Sequence, residues 1–158
     1  MASQATIGWS TIYEIWDENG LIVSGGGAFA QICEIFNLTP GSQTADRIDV
    51  THFCSPDRRR EYIPGLIDSG EASFEMNYIP GSPEDQLLLS LLNSGHVVQH
   101  RITFPQQQDS DVRHRVTFEA SVTGYERNVP IDDRMTATIT LAPSGAETWD
   151  TVPVESGS

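Results

Sequence analysis

The sequence predicts a mainly β protein, a β-sandwich or half-open barrel with one flanking α-helix and a long loop. Three observations carry this. Apolar and polar residues alternate in several short runs, the signature of strands with one face on a core. Only one stretch has helical periodicity. Turn formers are abundant, with 13 Gly and 9 Pro against a hydrophobic fraction of 38%, which favours short strands over a helical bundle.

The first predicted strand is Ile7–Trp16, with Ile7, Trp9, Tyr13 and Ile15 on one face. Asn19-Gly20 before Leu21-Ile22-Val23 predicts a hairpin, because Asn-Gly supplies the positive φ angles of a tight turn. Gly25-Gly26-Gly27 forms a flexible corner. Phe29–Leu38 alternates again and stops at Thr39-Pro40-Gly41. From Ser42 to Ser69 the periodicity fails while charge accumulates, so this segment is expected to be a long loop. Loops of such length are usually functional or ordered only on binding.

The clearest block is Glu71–Phe104. Ala72, Phe74, Met76 and Tyr78 mark one face of a strand. Pro80-Gly81 ends it. Ser82 has the chemistry of an N-cap, Pro83 fits the first helical position, and Asp85 stands where a capping carboxylate belongs. Leu87, Leu88, Leu91 and Leu92 form one stripe of the helix, with Leu89 off it, and Asn93-Ser94-Gly95 is a stop signal. Val98, Ile102 and Phe104 resume a period of two. After a polar turn at Gln106–Asp111, Val112–Thr123 alternates. Gly124–Asp133 reads as a connection. Met135–Leu141 reads as the last strand, ended by Pro143-Ser144-Gly145. The expected organisation is one domain over residues 1–146 and a flexible acidic C-terminal tail over 147–158.

A chain of 158 residues can bury about 70% of its unfolded surface, so its core needs no staples. The formal net charge is −13, and all nine basic residues are Arg. Such a surface repels phosphate backbones and anionic lipid, which argues against specific nucleic-acid binding and against a membrane partner. The N-terminus lacks the apolar run of a secretory signal, and no stretch is apolar enough to be a membrane span. Cys33 and Cys54 have no metal-ligand spacing. A disulfide between them is one reading, and two buried thiols is the favoured one.

No catalytic residue, metal site or cofactor site is predicted. The Gly triplet lacks the residues of a phosphate loop, and neither a GxSxG nor an HExxH pattern occurs. His96, His100 and His114 could approach one another across a hairpin as a three-His metal site. No carboxylate or Cys stands at ligand spacing beside them, so capping or pairing roles are preferred; His52 is alone in the loop. Asp57-Arg58-Arg59-Arg60-Glu61 is the one basic cluster. Either its flanking acids neutralise it or it meets an acidic patch on another copy of the chain. Arg58, Arg59 and Arg60, with Leu89, are the candidate inter-subunit contacts.

The order of weak motifs resembles the tail tube proteins of long, non-contractile phage tails, of the lambda-like major tail protein type. The likeness is carried by Asp46–Ile48, Thr51-His52, Gly65–Asp68, Gly70–Phe74 and Tyr78–Gly81. It continues through Leu88-Leu89, Leu91-Leu92, Asn93–Gly95, Ile102–Pro105, Thr117–Ala120 and Met135–Leu141. The resemblance implies a non-enzymatic virion protein, assembled in the host cytoplasm. Six copies would form a ring whose strands join into one barrel, and stacked hexameric rings would form a tube. DNA would pass through the lumen without specific binding, and other tail proteins would meet the tube ends. The long loop and the termini would bridge subunits, and more Asp and Glu than Arg would face the lumen. Two other readings stand beside it: a monomeric β-sandwich binding carbohydrate or another ligand through Trp9, Tyr13 and Trp16, and a hydrolase with a dispersed carboxylate pair.

Overall fold

The computed structural model describes residues 8–107 and 110–154. Its strands are β1 (Ile12–Asp17), β2 (Ala28–Gln31), β3 (Ile35–Thr39), β4 (Gln43–Asp49), β5 (Tyr62–Ser69), β6 (Ala72–Asn77), β7 (Val98–Thr103), β8 (Val112–Asn128) and β9 (Thr136–Pro153). The helix, α1, is Pro83–Ser94. Seven strands form one antiparallel sheet in the order β2-β1-β7-β8-β9-β6-β3, and β4-β5 is a separate hairpin.

The two edge strands, β2 and β3, are joined by only Ile32–Glu34. Four backbone steps span at most about 14 Å. The sheet must therefore curl until its edges nearly meet, which makes it a half-open barrel. Its interior holds Tyr13, Ile15, Phe74, Met76, Ile102, Val116, Phe118, Ile139 and Leu141. Helix α1 packs on β8 and adds Leu87, Leu88 and Leu91, each stabilising the fold by about 1.5–3 kcal/mol. Leu92 packs at the margin of this core, and Leu89 is half-buried.

The helix forms as its sequence dictates. Ser82 Oγ accepts the Asp85 N–H at 3.2 Å, and Gly95 closes the helix at φ +67°, a conformation that a Cβ disfavours. Asp85 is itself buried. Its carboxylate accepts the Gly81 N–H at 3.1 Å and the Tyr125 hydroxyl at 2.6 Å, tying the helix start to β8.

Several expectations are corrected. The first strand begins only at Ile12, because Ser10 turns the chain at φ +71°; Trp9 is consequently 83% exposed, and Ile7 lies outside the described residues. Leu21-Ile22-Val23 is not a strand. Its N–H groups are taken by the buried Asp17 carboxylate at 3.1, 2.7 and 2.9 Å, so β1 pairs instead with Ala28–Gln31. Burial pushes the Asp17 carboxyl up, but these backbone donors outweigh it and leave the group below its usual range. Phe29–Leu38 is two strands at opposite sheet edges. The connection expected at Gly124–Asp133 starts late, since β8 runs on to Asn128.

β9 passes through Pro143-Ser144-Gly145 and continues to Pro153. Proline is tolerated there because β6 flanks β9 only as far as Leu141, so among the described residues the Pro143 position is paired on the β8 side alone. The segment expected to be a flexible tail from Glu147 is therefore strand up to Pro153, paired with β8; residues 155–158 lie outside the described residues. Trp149 stacks on Phe104 with centroids 5.8 Å apart, and Asp150 makes a bidentate pair with Arg115. The thiols are exposed, not buried. Cys33 sits on the crossing between sheet edges and Cys54 at the end of the β4-β5 hairpin.

Candidate assembly interface

The segment Ser42–Ser69 is not an unpatterned loop. It is a hairpin arm, β4 paired with β5 from Gln43↔Ser69 to Asp49↔Tyr62. No β4 residue is buried, so neither face imposes an apolar-polar alternation. At its base, the Gly70 N–H donates to the Ser42 carbonyl at 2.5 Å. A Cβ on Gly70 would come within 2.6 Å of Ser42 Oγ and 3.0 Å of the Ser42 carbonyl oxygen, so any side chain there would have to displace Ser42. At its apex, Thr51 and Glu61 close the loop through the Glu61 N–H to Thr51 Oγ1 bond at 2.9 Å, and Ser55 Oγ donates to Glu61 at 2.8 Å. Thr51's hydroxyl and N–H hold the Asp49 carboxyl below its usual range, with Arg60's charge a smaller contribution.

The arm is thus ordered within itself and scarcely attached to the body. Its link to β9 is the Ser69 hydroxyl to Gly145 carbonyl contact at 3.4 Å. Yet it exposes Ile48, Val50, Phe53, Tyr62, Ile63, Leu66 and Ile67. So many large apolar side chains exposed on the two faces of one hairpin mark an interaction surface. Arg58, Arg59 and Arg60 lie exposed at the arm's end, where Asp57 and Arg58 both have positive φ. None of the three makes an ion pair among the described residues. The flanking Glu61 approaches His52 instead, at 3.4 Å. Leu89 sits on α1, so the four predicted contact residues do not form one site.

The body offers a second surface. β7 flanks β8 only over Arg115–Ala120, and β6 flanks β9 only over Thr136–Leu141. Residues 121–128 of β8 and 142–153 of β9 therefore each keep one edge without a strand partner among the described residues. Unpaired strand edges are templates for further pairing. Sequence reasoning missed them because it ended both strands early.

The sheet face turned away from the core carries hydroxyls and acids. Glu75, Thr138 and Glu126 stand side by side across β6, β9 and β8. The arginines Arg101 and Arg115 on this face are each neutralised, Arg101 by Glu14 at 3.0 and 2.7 Å and Arg115 by Asp150. Arg115 in turn is the main reason that the Asp150 carboxyl lies below its usual range.

The other candidates separate. His100 is fully buried, while His96 and His114 are exposed. The described residues contain no cluster of three or more His, Cys, Asp or Glu able to hold a metal. His100 pairs with neither carboxylate nor strand end. Its Nδ1 accepts the Tyr13 hydroxyl at 2.5 Å, and its Nε2–H donates to the Ala120 carbonyl at 3.2 Å. Burial lowers its pKa to about 4. Tyr13 and Trp16 point to opposite faces of β1. Tyr13 is in the core and Trp16 packs edge-on to Phe29 at 5.2 Å. With Trp9 apart on the surface, the three aromatics build no ligand platform. An open groove of about 1150 Å³ does exist near the barrel seam, lined by Trp9, Phe36, Phe104, His114 and Trp149 among others.

Comparison with known proteins agrees with a surface built for assembly. The family described as lambda phage tail tube protein matches residues 15–150. Among curated protein sequences, none matches. Among solved structures, the chain is similar to the tail of an empty gene transfer agent particle refined with C6 symmetry, at 18% identity and a TM-score of 0.69, covering 92% of this chain and 99% of that one. It is similar to a chain of the six-fold symmetrised anti-feeding prophage baseplate at 11% identity and a TM-score of 0.72, covering 98% and 99%. The SPP1 tail tube matches at 10% identity and a TM-score of 0.67, covering 95% and 81%.

Proposed function

The chain belongs to the lambda phage tail tube protein family, and on that premise we propose that six copies form a ring and that rings stack into the tube of a phage tail. It is a structural protein of the virion and carries out no catalysis. The observation that carries this reading is the β4-β5 arm, which exposes seven large apolar residues and has almost no contact with its own body.

Burial of that arm between copies removes its apolar side chains from water at about 25 cal/mol per Å². The strand edges complete the picture. β5 lies beside the open stretch of β9, and the open stretch of β8 is free for a neighbouring copy. Strand pairing around the ring satisfies both edges and closes a barrel, which has none. Arg58, Arg59 and Arg60 then meet acidic side chains of the adjacent copy, consistent with a chain of net charge −13. Leu89, half-buried on α1, adds a small apolar contact outside the ring wall.

The lumen is assigned to the sheet face opposite α1. Arg101 and Arg115 there are ion-paired, and Arg113 on the same face is engaged by the Phe104 and Ser10 carbonyls, which leaves Glu75 and Glu126 among hydroxyl side chains. A duplex inside such a channel is repelled within a Debye length of about 8 Å and finds few cationic contacts to hold it. DNA passes without being bound. Other tail proteins cap the ends, and assembly takes place in the host cytoplasm.

Negative-stain microscopy and sedimentation of the purified chain test this. Rings or tubes are expected from the wild type. Leu66→Asp with Ile67→Asp, both on the exposed arm, should leave a folded monomer that does not assemble. A wild-type chain that stays monomeric at every concentration, including with tail-initiator proteins added, would overturn the reading.

A further inference from the structure

The β8-β9 turn carries an apolar tip that the arm and strand edges do not use. Ile131 is 100% exposed and Val129 65% exposed, with Pro130 between them. Asp132 and Asp133 follow directly, both exposed. The base of the tip is anchored, since the Arg134 guanidinium lies 4.1 Å over the Phe36 ring. The apex has no partner among the described residues.

An aromatic hollow lies at the other end of the same ribbon. Phe104 and Trp149 stack there, and Trp9, Pro105 and His114 complete the wall. The pairing register fixes the separation. Trp149 stands opposite Val116, whereas the tip lies beyond Asn128↔Thr136. Twelve residues of strand measure about 40 Å along the ribbon; the groove extends at its near end to Phe36, under Arg134 at the base of the tip, and the socket is its far end at Trp9, Phe104 and Trp149. Beside the hollow, Arg113 donates to the Phe104 carbonyl at 2.9 Å and to the Ser10 carbonyl at 2.5 Å. It makes no ion pair among the described residues.

Resting on the tube reading above, we propose that the Val129–Asp133 tip of each copy seats in the Trp9–Phe104–Trp149 hollow of a copy in the next ring. The charges match, because Asp132 and Asp133 flank an apolar tip and Arg113 flanks an apolar hollow. A knob and a socket at opposite ends of one element make a head-to-tail contact, which does not close on itself and propagates as a stack. This contact joins ring to ring, whereas the arm and strand edges join copies within a ring.

Two variants test it in the full-length chain, with rings and tubes counted by microscopy. Ile131→Asp should fold with an unchanged Tm, form rings, and lose tube length at least tenfold. Arg113→Glu should shorten tubes likewise, and Asp132→Arg with Asp133→Arg should restore them. For direct contact, chains carrying Ile131→Cys and Trp9→Cys separately, both with Cys33→Ser and Cys54→Ser, are mixed and oxidised. Disulfide-linked dimers are expected from tubes and not from isolated rings. Full-length tubes from Ile131→Asp, or no cross-link in intact tubes, would overturn the proposal while leaving the tube reading standing. A wild type that forms neither rings nor tubes overturns both.

Discussion

Acid should destabilise this fold through one residue, His100. The ring is fully buried, and its two nitrogens serve as the neutral tautomer: Nδ1 accepts from Tyr13 and Nε2–H donates to Ala120. Protonation puts a donor against the Tyr13 hydroxyl and a charge into the core beside Phe118. The folded-state pKa of about 4 lies below the ordinary 6.5. The unfolded state therefore binds the proton first as pH falls. The stabilising contribution is complete above pH 6.5 and is lost as pH drops from 6.5 towards 4. Between pH 7.5 and 4.5 the linkage integral gives a loss of about 2–3 kcal/mol, a large share of a stability of about 5–15 kcal/mol. Denaturant melts of the monomer at both pH values measure the loss. His100→Gln supplies an acceptor and a donor that do not titrate, so it should cut the difference by about 2 kcal/mol while lowering stability at pH 7.5. Identical pH dependence in the two proteins would refute the reasoning, because every other group titrates in both.

Hydrogen exchange should find weak protection in β4-β5 of the free monomer and strong protection after assembly; equal protection in the two states would count against a bridging arm. Arg58→Glu, Arg59→Glu and Arg60→Glu together should leave Tm within a few degrees, since exposed charges cost little, yet impair polymerisation; normal tubes would show that the cluster is only solvated. Asp85→Ala should cost about 2 kcal/mol in denaturant melts, because it leaves the half-buried Tyr125 hydroxyl and the Gly81 N–H without their acceptor. The β8-β9 ribbon of 17 and 18 residues is about 56 Å long; tilted by 35–45° as in a barrel, it predicts an axial repeat of about 40–46 Å, readable from a tube reconstruction. That same map should show more Asp and Glu than Arg facing the lumen, with Glu75 and Glu126 among them.

By itself, the sequence determined what local chemistry can determine. Ser82, Pro83, Asp85 and Gly95 set the limits of α1, because a cap and a left-handed stop are decided within a few residues. The faces of β6, β7 and the first part of β8 were legible because each is half-buried, so alternation survives in the residue order. The family was legible in the order of motifs, although none of them is chemically specific. Tertiary structure decided the rest. Asp17 captures three N–H groups and cancels the strand suggested by Leu21-Ile22-Val23, a competition between a carboxylate and a ladder that periodicity does not register. The arm is a hairpin with neither face buried, so it has strand pairing without strand patterning. β9 runs through Pro143 only because β6 has ended and no neighbour needs that N–H. The seam, the free edges and the separation of tip from hollow come from the three-residue crossing at Ile32–Glu34 and from register, both of which follow from how distant segments pair.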